Sequence, residues 1–223
     1  MAAGTVTAVC RVHELRPEPT NPGGLTAIDK RMVAGAVDVG FLGLAGDRVC
    51  DERHHGGPEQ AVYAYADADA AWWAAELERE IPPGLFGENL RVDGIDVTGA
   101  EIGERWRIGG TGGVLVQVAA PRIPCATFAR RMGVPHWVKR FSDRGAPGAY
   151  LAVVEPGVLV AGAPVAVESR PGHGVTIGDT FLRPESVIMQ RLLDAAAVGA
   201  FELTPKMRRY AQQVVRRATR PQA

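Results

Sequence analysis

The segment Pro121-Arg122-Ile123-Pro124-Cys125 brings a thiol to a position where it can react. Proline cannot donate to a sheet ladder, so the two prolines direct Cys125 out of the preceding strand and to the start of a helix expected over 126–132. At that point the helix dipole and the free amides favour a thiolate, and Arg122 adds a positive charge. Such a thiolate is a candidate nucleophile, persulfide carrier or soft metal ligand. An equally weighted interpretation is a buried cysteine that acts as a small hydrophobic residue.

A loop of two histidines and two glycines is the second candidate site. His54-His55-Gly56-Gly57 suits the close approach of an anionic ligand, because glycine exposes the backbone amides. Either histidine can also donate a proton near neutral pH. The alternative is that both histidines serve only turn hydrogen bonds.

Two more glycine-supported loops carry adjacent polar residues. The segment 43–48 ends in Asp47-Arg48, and the segment 84–90 presents Glu88-Asn89 just before a strand. Taken alone, each of these two patterns is explained equally well by an ordinary turn without any function.

Short β-branched segments separated by glycine and proline position these loops, and they are typical of a barrel or a sandwich. Strands are expected at 5–12, 61–65, 90–92, 95–97, 105–108, 114–118, 150–154, 158–160 and 164–168, with 150–154 and 158–160 forming a hairpin. Helices at 67–80, 126–132 and 136–141 are inserted in the connections, and helices at 184–198 and 204–218 follow. We predict a mainly β (α+β) fold, with a barrel domain over 1–177 and a small C-terminal helical appendage over 178–223.

Composition excludes several classes of protein. The 223 residues carry 25 Lys+Arg against 25 Asp+Glu, so the strongly basic field of a nucleic-acid-binding protein is absent and no stable nucleic-acid binding is expected. Three widely spaced cysteines do not form a disulfide framework, and no segment resembles a signal peptide or a membrane span. A cytoplasmic protein without membrane contact is expected.

The last helix is basic, through Lys206, Arg208, Arg209, Arg216 and Arg217. This basic face is either a solvated surface or a site for an acidic partner protein.

The order of these segments resembles the MOSC-domain family, the C-terminal domain family of molybdenum cofactor sulfurases, and especially its YiiM-type members. The resemblance lies in Gly-Leu-Ala-Gly-Asp-Arg (43–48), His55-Gly56-Gly57-Pro58, Phe86-Gly87-Glu88-Asn89-Leu90, the segment 121–125 and the run from 150 to 165. It implies a barrel that holds the molybdenum–pterin cofactor, with Cys125 as the molybdenum ligand. Contacts to the phosphate and the pterin would come from Arg48, Arg122, Asp47, Glu88, Asn89 and the amides of Gly56 and Gly57.

The resemblance also implies a reaction, the reduction of N-hydroxylated compounds such as hydroxylamino-purines to amines. His54 or His55 would donate the proton. Because the chain has no flavin, haem or iron–sulfur motif, a separate flavoprotein or ferredoxin-type donor would supply the electrons. The alternatives are a carrier or sensor of the cofactor, a persulfide sulfur-transfer protein and, last, a cysteine hydrolase. One departure from the family pattern is Glu59-Gln60, where its members commonly have Asp-Lys, so a cationic contact is lost there.

Overall fold

A computed structural model describes residues 3–52 and 55–219, and within these ranges the chain forms eleven strands and six helices. The strands are β1 (Ala3–Pro17), β2 (Leu25–Met32), β3 (Val37–Gly40), β4 (Gly43–Leu44), β5 (Val62–Ala66), β6 (Leu90–Asp93), β7 (Arg105–Ile108), β8 (Val114–Pro121), β9 (Ala149–Glu155), β10 (Gly157–Leu159) and β11 (Pro164–Ser169). The helices are α1 (Asp67–Glu76), α2 (Ala126–Met132), α3 (Trp137–Arg144), α4 (Ile177–Thr180), α5 (Ser186–Ala197) and α6 (Pro205–Ala218).

Seven of the strands close into a barrel in the order β11-β7-β8-β9-β5-β6-β1, and pairing of β1 with β11 completes the circle. The predicted mainly β barrel with inserted helices is thereby confirmed. All of its pairs are antiparallel except β5 with β6, which run parallel. A parallel pair needs a long crossover connection, and here residues 67–89, including α1, supply it.

Strand β1 is long enough to belong both to the barrel and to a hairpin with β2. Its first residues pair with β11 and β6, whereas residues 10–17 continue beyond the barrel and pair with β2. The resulting β1–β2 hairpin projects beside the barrel mouth and packs against α2.

The expected hairpin between 150–154 and 158–160 is wrong. After Pro156 the chain leaves the barrel, and Gly157–Leu159 pairs with Val37–Val39 in a separate three-stranded sheet, β10-β3-β4. The pairing partner therefore lies more than a hundred residues away in the sequence, where local pattern carries no information about it.

The barrel core is filled by alternating inward residues, and the C-terminal helices add to the same core. Strand β9 shows the alternation, with Ala149, Leu151 and Val153 buried. Met189 and Leu192 of α5 and Met207 of α6 belong to the hydrophobic cluster that fills the barrel. The boundary between 177 and 178 stays a prediction. No helix in the described part of the chain is long and apolar enough to span a membrane.

A second core, which we call the aromatic layer, fixes the inserted helices α1, α2 and α3. It consists of Tyr63, Tyr65, Trp73, Phe86, Phe128, Trp137 and Phe141. Neighbouring ring centroids lie 4.5–5.4 Å apart along the series Trp73, Trp137, Phe128 and Phe86, mostly in edge-to-face or tilted arrangements. Such pairs are favourable beyond their burial. Phe128 anchors α2, the helix that follows Cys125.

Candidate functional site

Cys125 lies at the junction that the prolines predict, between the end of β8 at Pro121 and the start of α2 at Ala126. It is the N-cap residue of α2, with extended backbone angles, and its carbonyl accepts the amide of Ala129 at 3.0 Å. The thiol is free and half-buried, so it is neither a surface group nor a core residue.

The surroundings of Cys125 favour the thiolate. Burial by itself raises the pKa of the thiol. A hydrogen bond with His55, the charge of Arg122 and the backbone N–H of Phe128 outweigh burial and bring the pKa to about 7. An ordinary cysteine titrates at about 8.5, so a much larger share of Cys125 is ionised at neutral pH. His55 and Cys125, which lie 70 positions apart in the chain, therefore form one unit.

Arg122 is a buried cation without a carboxylate partner among the described residues. Only 5% of the residue is exposed, and its guanidinium lies over the ring of Phe128 at 3.8 Å from the centroid. It also donates a hydrogen bond to the hydroxyl oxygen of Tyr150. Its Nη1 atom has no hydrogen-bond partner in the described chain. Because a buried charged donor is costly when unpaired, this atom is available to an anionic ligand.

These groups meet in one cavity of about 190 Å³, which we call the inner cavity. Its polar wall includes Lys30, Asp47, His55, Asn89, Arg122 and Cys125, and Tyr63 and Tyr150 add aromatic surface. A cavity with few convergent polar groups and a perturbed thiol is the usual form of a ligand site.

Asp47, Asn89 and Lys30 brace one wall of the inner cavity. Asp47 Oδ2 accepts from Lys30 Nζ at 2.5 Å and from Asn89 Nδ2 at 2.7 Å. Asp47 Oδ1 accepts the backbone N–H of Val12 at 2.8 Å, and Asn89 Oδ1 accepts that of Tyr63 at 3.1 Å. The network holds β1, β5 and the 86–89 turn together while its members still line the cavity.

Glu88 differs from the expectation that it contacts the pterin. Its carboxylate is fully buried outside the cavity wall and accepts from Gly84 N at 2.8 Å, Phe86 N at 3.0 Å and Arg91 Nη2 at 2.6 Å. The oxygens are therefore used to hold the turn at 84–88. Gly84 in that turn has φ +89, and a Cβ there would lie 2.3 Å from the carbonyl oxygen of Lys30.

The remaining predicted residues border the cavity or lie beyond it. Arg48 and Gly56 line the inner cavity, whereas Gly57 lines a neighbouring outer cleft. Both glycines have positive φ, 74° and 76°. His54 lies outside the described residues.

Among the wall residues that sequence reasoning missed are Lys30, Tyr63 and Tyr150. They lie on the strands β2, β5 and β9, which the fold of the barrel and its hairpin brings together. One signal was present, since Lys30 is one of three lysines in a chain whose cations are otherwise arginines. The tyrosines look like ordinary strand residues in the sequence.

Comparison with known proteins shows the family to which this chain belongs. The MOSC domain family model matches residues 51–166, a range that includes His55, Asn89, Arg122 and Cys125. YflK of Bacillus subtilis is 34% identical over 152 residues, which are 68% of this chain and 67% of that protein. YiiM of Escherichia coli is 32% identical over 154 residues, 66% of each. The matches thus span about two thirds of these relatives. A protein named Reductase from Gibberella moniliformis is 30% identical over 66% of this chain but only 26% of its own length.

Solved structures agree on the fold. The crystal structure of YiiM from Geobacillus stearothermophilus superposes with a TM-score of 0.75 at 24% identity, covering 95% of this chain and 99% of that one. YiiM from Escherichia coli gives 0.71 at 23% identity, covering 98% and 96%. The chain therefore belongs to the MOSC domain family, the family of the C-terminal domain of molybdenum cofactor sulfurases.

Proposed function

We propose that this protein is a molybdenum-cofactor-dependent reductase that converts N-hydroxylated compounds, such as hydroxylamino-purines, to amines. One observation carries the proposal: a cysteine with a pKa of about 7 and a buried arginine with an unpartnered Nη1 face one cavity. The thiolate is a soft ligand, and the arginine is an anion site. A molybdenum–pterin group that carries a phosphate would use both.

The residues present fit the cofactor. Cys125 would ligate the molybdenum, and Arg122 would take the phosphate through its free Nη1. Asp47 and Asn89 border the same cavity and offer polar atoms to the pterin ring. Arg48 and the Gly56 amide stand at its edge, where they would support the phosphate.

When bound, the cofactor supplies the two electrons that break the N–O bond. The overall change is R–NHOH + 2 e⁻ + 2 H⁺ → R–NH₂ + H₂O. His55 contacts Cys125 and lines the cavity, so it would deliver a proton to the departing oxygen. The partly enclosed cavity would limit water around the reacting group.

A separate protein would supply the electrons, and we propose that it is an acidic flavoprotein or ferredoxin. The exposed Arg216 and Arg217 at the end of α6 would form part of its docking surface. Long-range steering of this kind weakens with salt. All three cysteines are free thiols, which supports placing the reaction in a reducing cytoplasm.

The deciding experiment measures molybdenum by mass spectrometry in protein purified from cells that make the cofactor. We expect metal in the wild-type protein, little in Cys125→Ser, and wild-type content in Cys10→Ala, whose thiol is buried in β1. Metal-loaded protein should oxidise reduced methyl viologen when given a hydroxylamino-purine. Absence of metal from every sample would refute the proposal, and metal without turnover would favour a cofactor carrier.

Persulfide transfer is the second candidate function, because Cys125 is nucleophilic and Cys50 lines the same cavity. A persulfide retained on Cys125 after incubation with a sulfur donor, in protein without molybdenum, would favour it. Mass spectrometry of the peptide that contains Cys125 detects the extra sulfur atom.

A further inference from the structure

The inner cavity opens into a larger space of about 920 Å³, the outer cleft. The two share a wall that includes Asp47, Arg48, Val49, Cys50, His55 and Gly56, so a ligand can extend from one into the other. The start of α6 forms the far side of the cleft through Lys206 and Arg209. The outer cleft has the volume of a small-molecule site, so it offers room for a second ligand beside the inner cavity.

Three cations face the outer cleft without a described carboxylate within ion-pair distance: Arg48, Lys206 and Arg209. The carboxylates on the same wall are mostly engaged. Lys30 pairs with Asp47, and the carboxylate of Glu59 accepts the backbone N–H of Lys206 at 3.0 and 3.2 Å. With Lys30 balancing Asp47, the three cations stand against Glu52 and Glu59, which leaves an excess of one positive charge at the cleft.

The contact between Glu59 and α6 also sets the position of these cations. It joins the 3₁₀ turn at Pro58–Gln60, directly after the histidine loop, to the first turn of α6. Lys206 and Arg209 are three positions apart on that helix, so their side chains emerge on one face, toward the cleft. The two cations are thus held at a fixed place relative to His55.

The opposite side of the cleft is apolar. Leu42 is 76% exposed, and Leu25 and Val49 are 39% and 37% exposed, all three on the cleft wall. Exposed apolar surface beside unpaired cations suits a molecule with a flat hydrophobic part and an anionic part.

We propose that the outer cleft binds the sugar phosphate of a purine nucleotide, so that the substrate is an N-hydroxylated nucleoside monophosphate and not the free base. This inference rests on the proposed function. The base would lie where the outer cleft meets the inner cavity, near His55, so that it faces the cofactor held by Cys125. The apolar wall would cover the ribose and the base edge, and Lys206 and Arg209 would bind the phosphate. Arginine and lysine are the usual phosphate-binding residues.

The test compares 6-hydroxylaminopurine with its ribonucleoside 5′-monophosphate in the molybdenum-loaded protein, with reduced methyl viologen as electron donor. Wild-type protein should have the higher kcat/KM for the monophosphate. In Lys206→Ala/Arg209→Ala the ratio of kcat/KM for monophosphate to that for free base should fall about tenfold or more, because each contact is a hydrogen bond between charged groups. The control Arg183→Ala/Arg191→Ala removes two positive charges outside the cleft and should keep the wild-type ratio.

Calorimetry gives a second measurement on the same preparations. Adenosine 5′-monophosphate should bind the wild type and the control Arg183→Ala/Arg191→Ala with similar affinity. It should bind Lys206→Ala/Arg209→Ala at least tenfold more weakly. Equal kcat/KM for both substrates in the wild type, or equal binding by all three proteins, would overturn the inference while leaving the reductase proposal intact. Release of a nucleotide from denatured holoprotein would also overturn it, because the cofactor's own nucleotide would then fill the cleft. If neither compound is reduced, the reductase proposal fails, and nucleotide binding still decides whether the cleft takes a phosphate.

Discussion

At the scale of the residue, the site depends on a balance around one sulfur atom. Burial opposes ionisation of Cys125, and His55 together with Arg122 and the Phe128 amide reverses the outcome. A half-buried cysteine without these neighbours would be inert. The reactivity of Cys125 therefore depends on His55, which is distant in the sequence, and on Arg122, which is close to it in the sequence.

Alkylation of the metal-free protein measures this balance. The rate at which iodoacetamide modifies Cys125 should rise with pH around a midpoint near 7, since the thiolate is the reacting form. His55→Ala should move the midpoint upward and slow the reaction at pH 7, because the hydrogen bond that lowers the pKa is lost. Mass spectrometry of the Cys125 peptide follows the reaction.

His173→Ala is the matched control, because His173 bonds the carbonyl of Ile102 and is absent from the wall of the inner cavity. A midpoint close to that of an ordinary cysteine in the wild type, or an unchanged midpoint in His55→Ala, would contradict the geometry described for the site.

The position of Cys125 could be predicted because its cause is local: two prolines, a strand before them and a helix after them. The difference between Glu88 and Asn89 could not be predicted. Both are polar residues at the end of a turn, yet Glu88 turns inward to bind backbone amides and Asn89 lines the cavity. That difference depends on the packing of residues 84–88 against β2, which leaves no local pattern.

At the scale of the element, helix α2 is clamped to the β1–β2 hairpin by two ion pairs. Arg130 donates to Glu18 at 2.6 and 2.9 Å, and Arg131 donates to Asp29 at 2.7 Å. Both carboxylates are nearly or fully buried. The two ion pairs and the aromatic layer both hold α2 in place. Together they fix the position of Cys125 at the start of this helix.

Glu18 should make the clamp sensitive to acid. Burial opposes its ionisation, but hydrogen bonds from Arg130 and Thr20 lower the pKa to about 2 from an ordinary 4.5. A lowered pKa stabilises the fold above pH 4.5, and this contribution is lost as the pH falls toward 2. Glu18→Gln should therefore lower the free energy of unfolding at pH 7 by about 1.5–3 kcal/mol, the usual contribution of hydrogen bonds to a charged group.

Urea unfolding at pH 7 and pH 3 tests the prediction, and the difference between wild type and Glu18→Gln should shrink at the lower pH. Glu14→Gln is the control, since Glu14 pairs with Arg16 on the surface and 59% of its side chain is exposed. An equal loss at both pH values would show that the carboxylate charge of Glu18 is not the stabilising factor.

At the scale of the whole molecule, the C-terminal helices complete the barrel core. The side chain of Gln117 on β8 donates to the carbonyl of Glu202 at 2.9 Å, and the ring of Phe201 lies directly over Gly103. Met189, Leu192, Leu203 and Met207 bury their side chains in the barrel cluster. Sequence periodicity predicted these helices but not where they pack, because their apolar face fits any hydrophobic surface.

Removal of residues 178–223 should leave a chain that does not fold stably. Four buried side chains at about 1.5–3 kcal/mol each amount to a large part of the stability of an ordinary domain. Circular dichroism and dye binding of the 1–177 fragment should show lost cooperativity and exposed apolar surface. A chain that ends at residue 219 is the control and should unfold like the full protein. A cooperative 1–177 fragment with an unchanged Tm would show that the helices are an independent appendage.

The pairing of β1 with β11 has a consequence for the synthesis of the protein. The first strand leaves the ribosome early, but its partner at residues 164–166 follows only after nearly the whole barrel has been made. At about 5–20 residues per second, one edge of β1 stays open for roughly 10–30 s. An open strand edge readily pairs with another chain. We therefore expect slow translation to lengthen that interval and to increase the tendency of the newborn protein to aggregate.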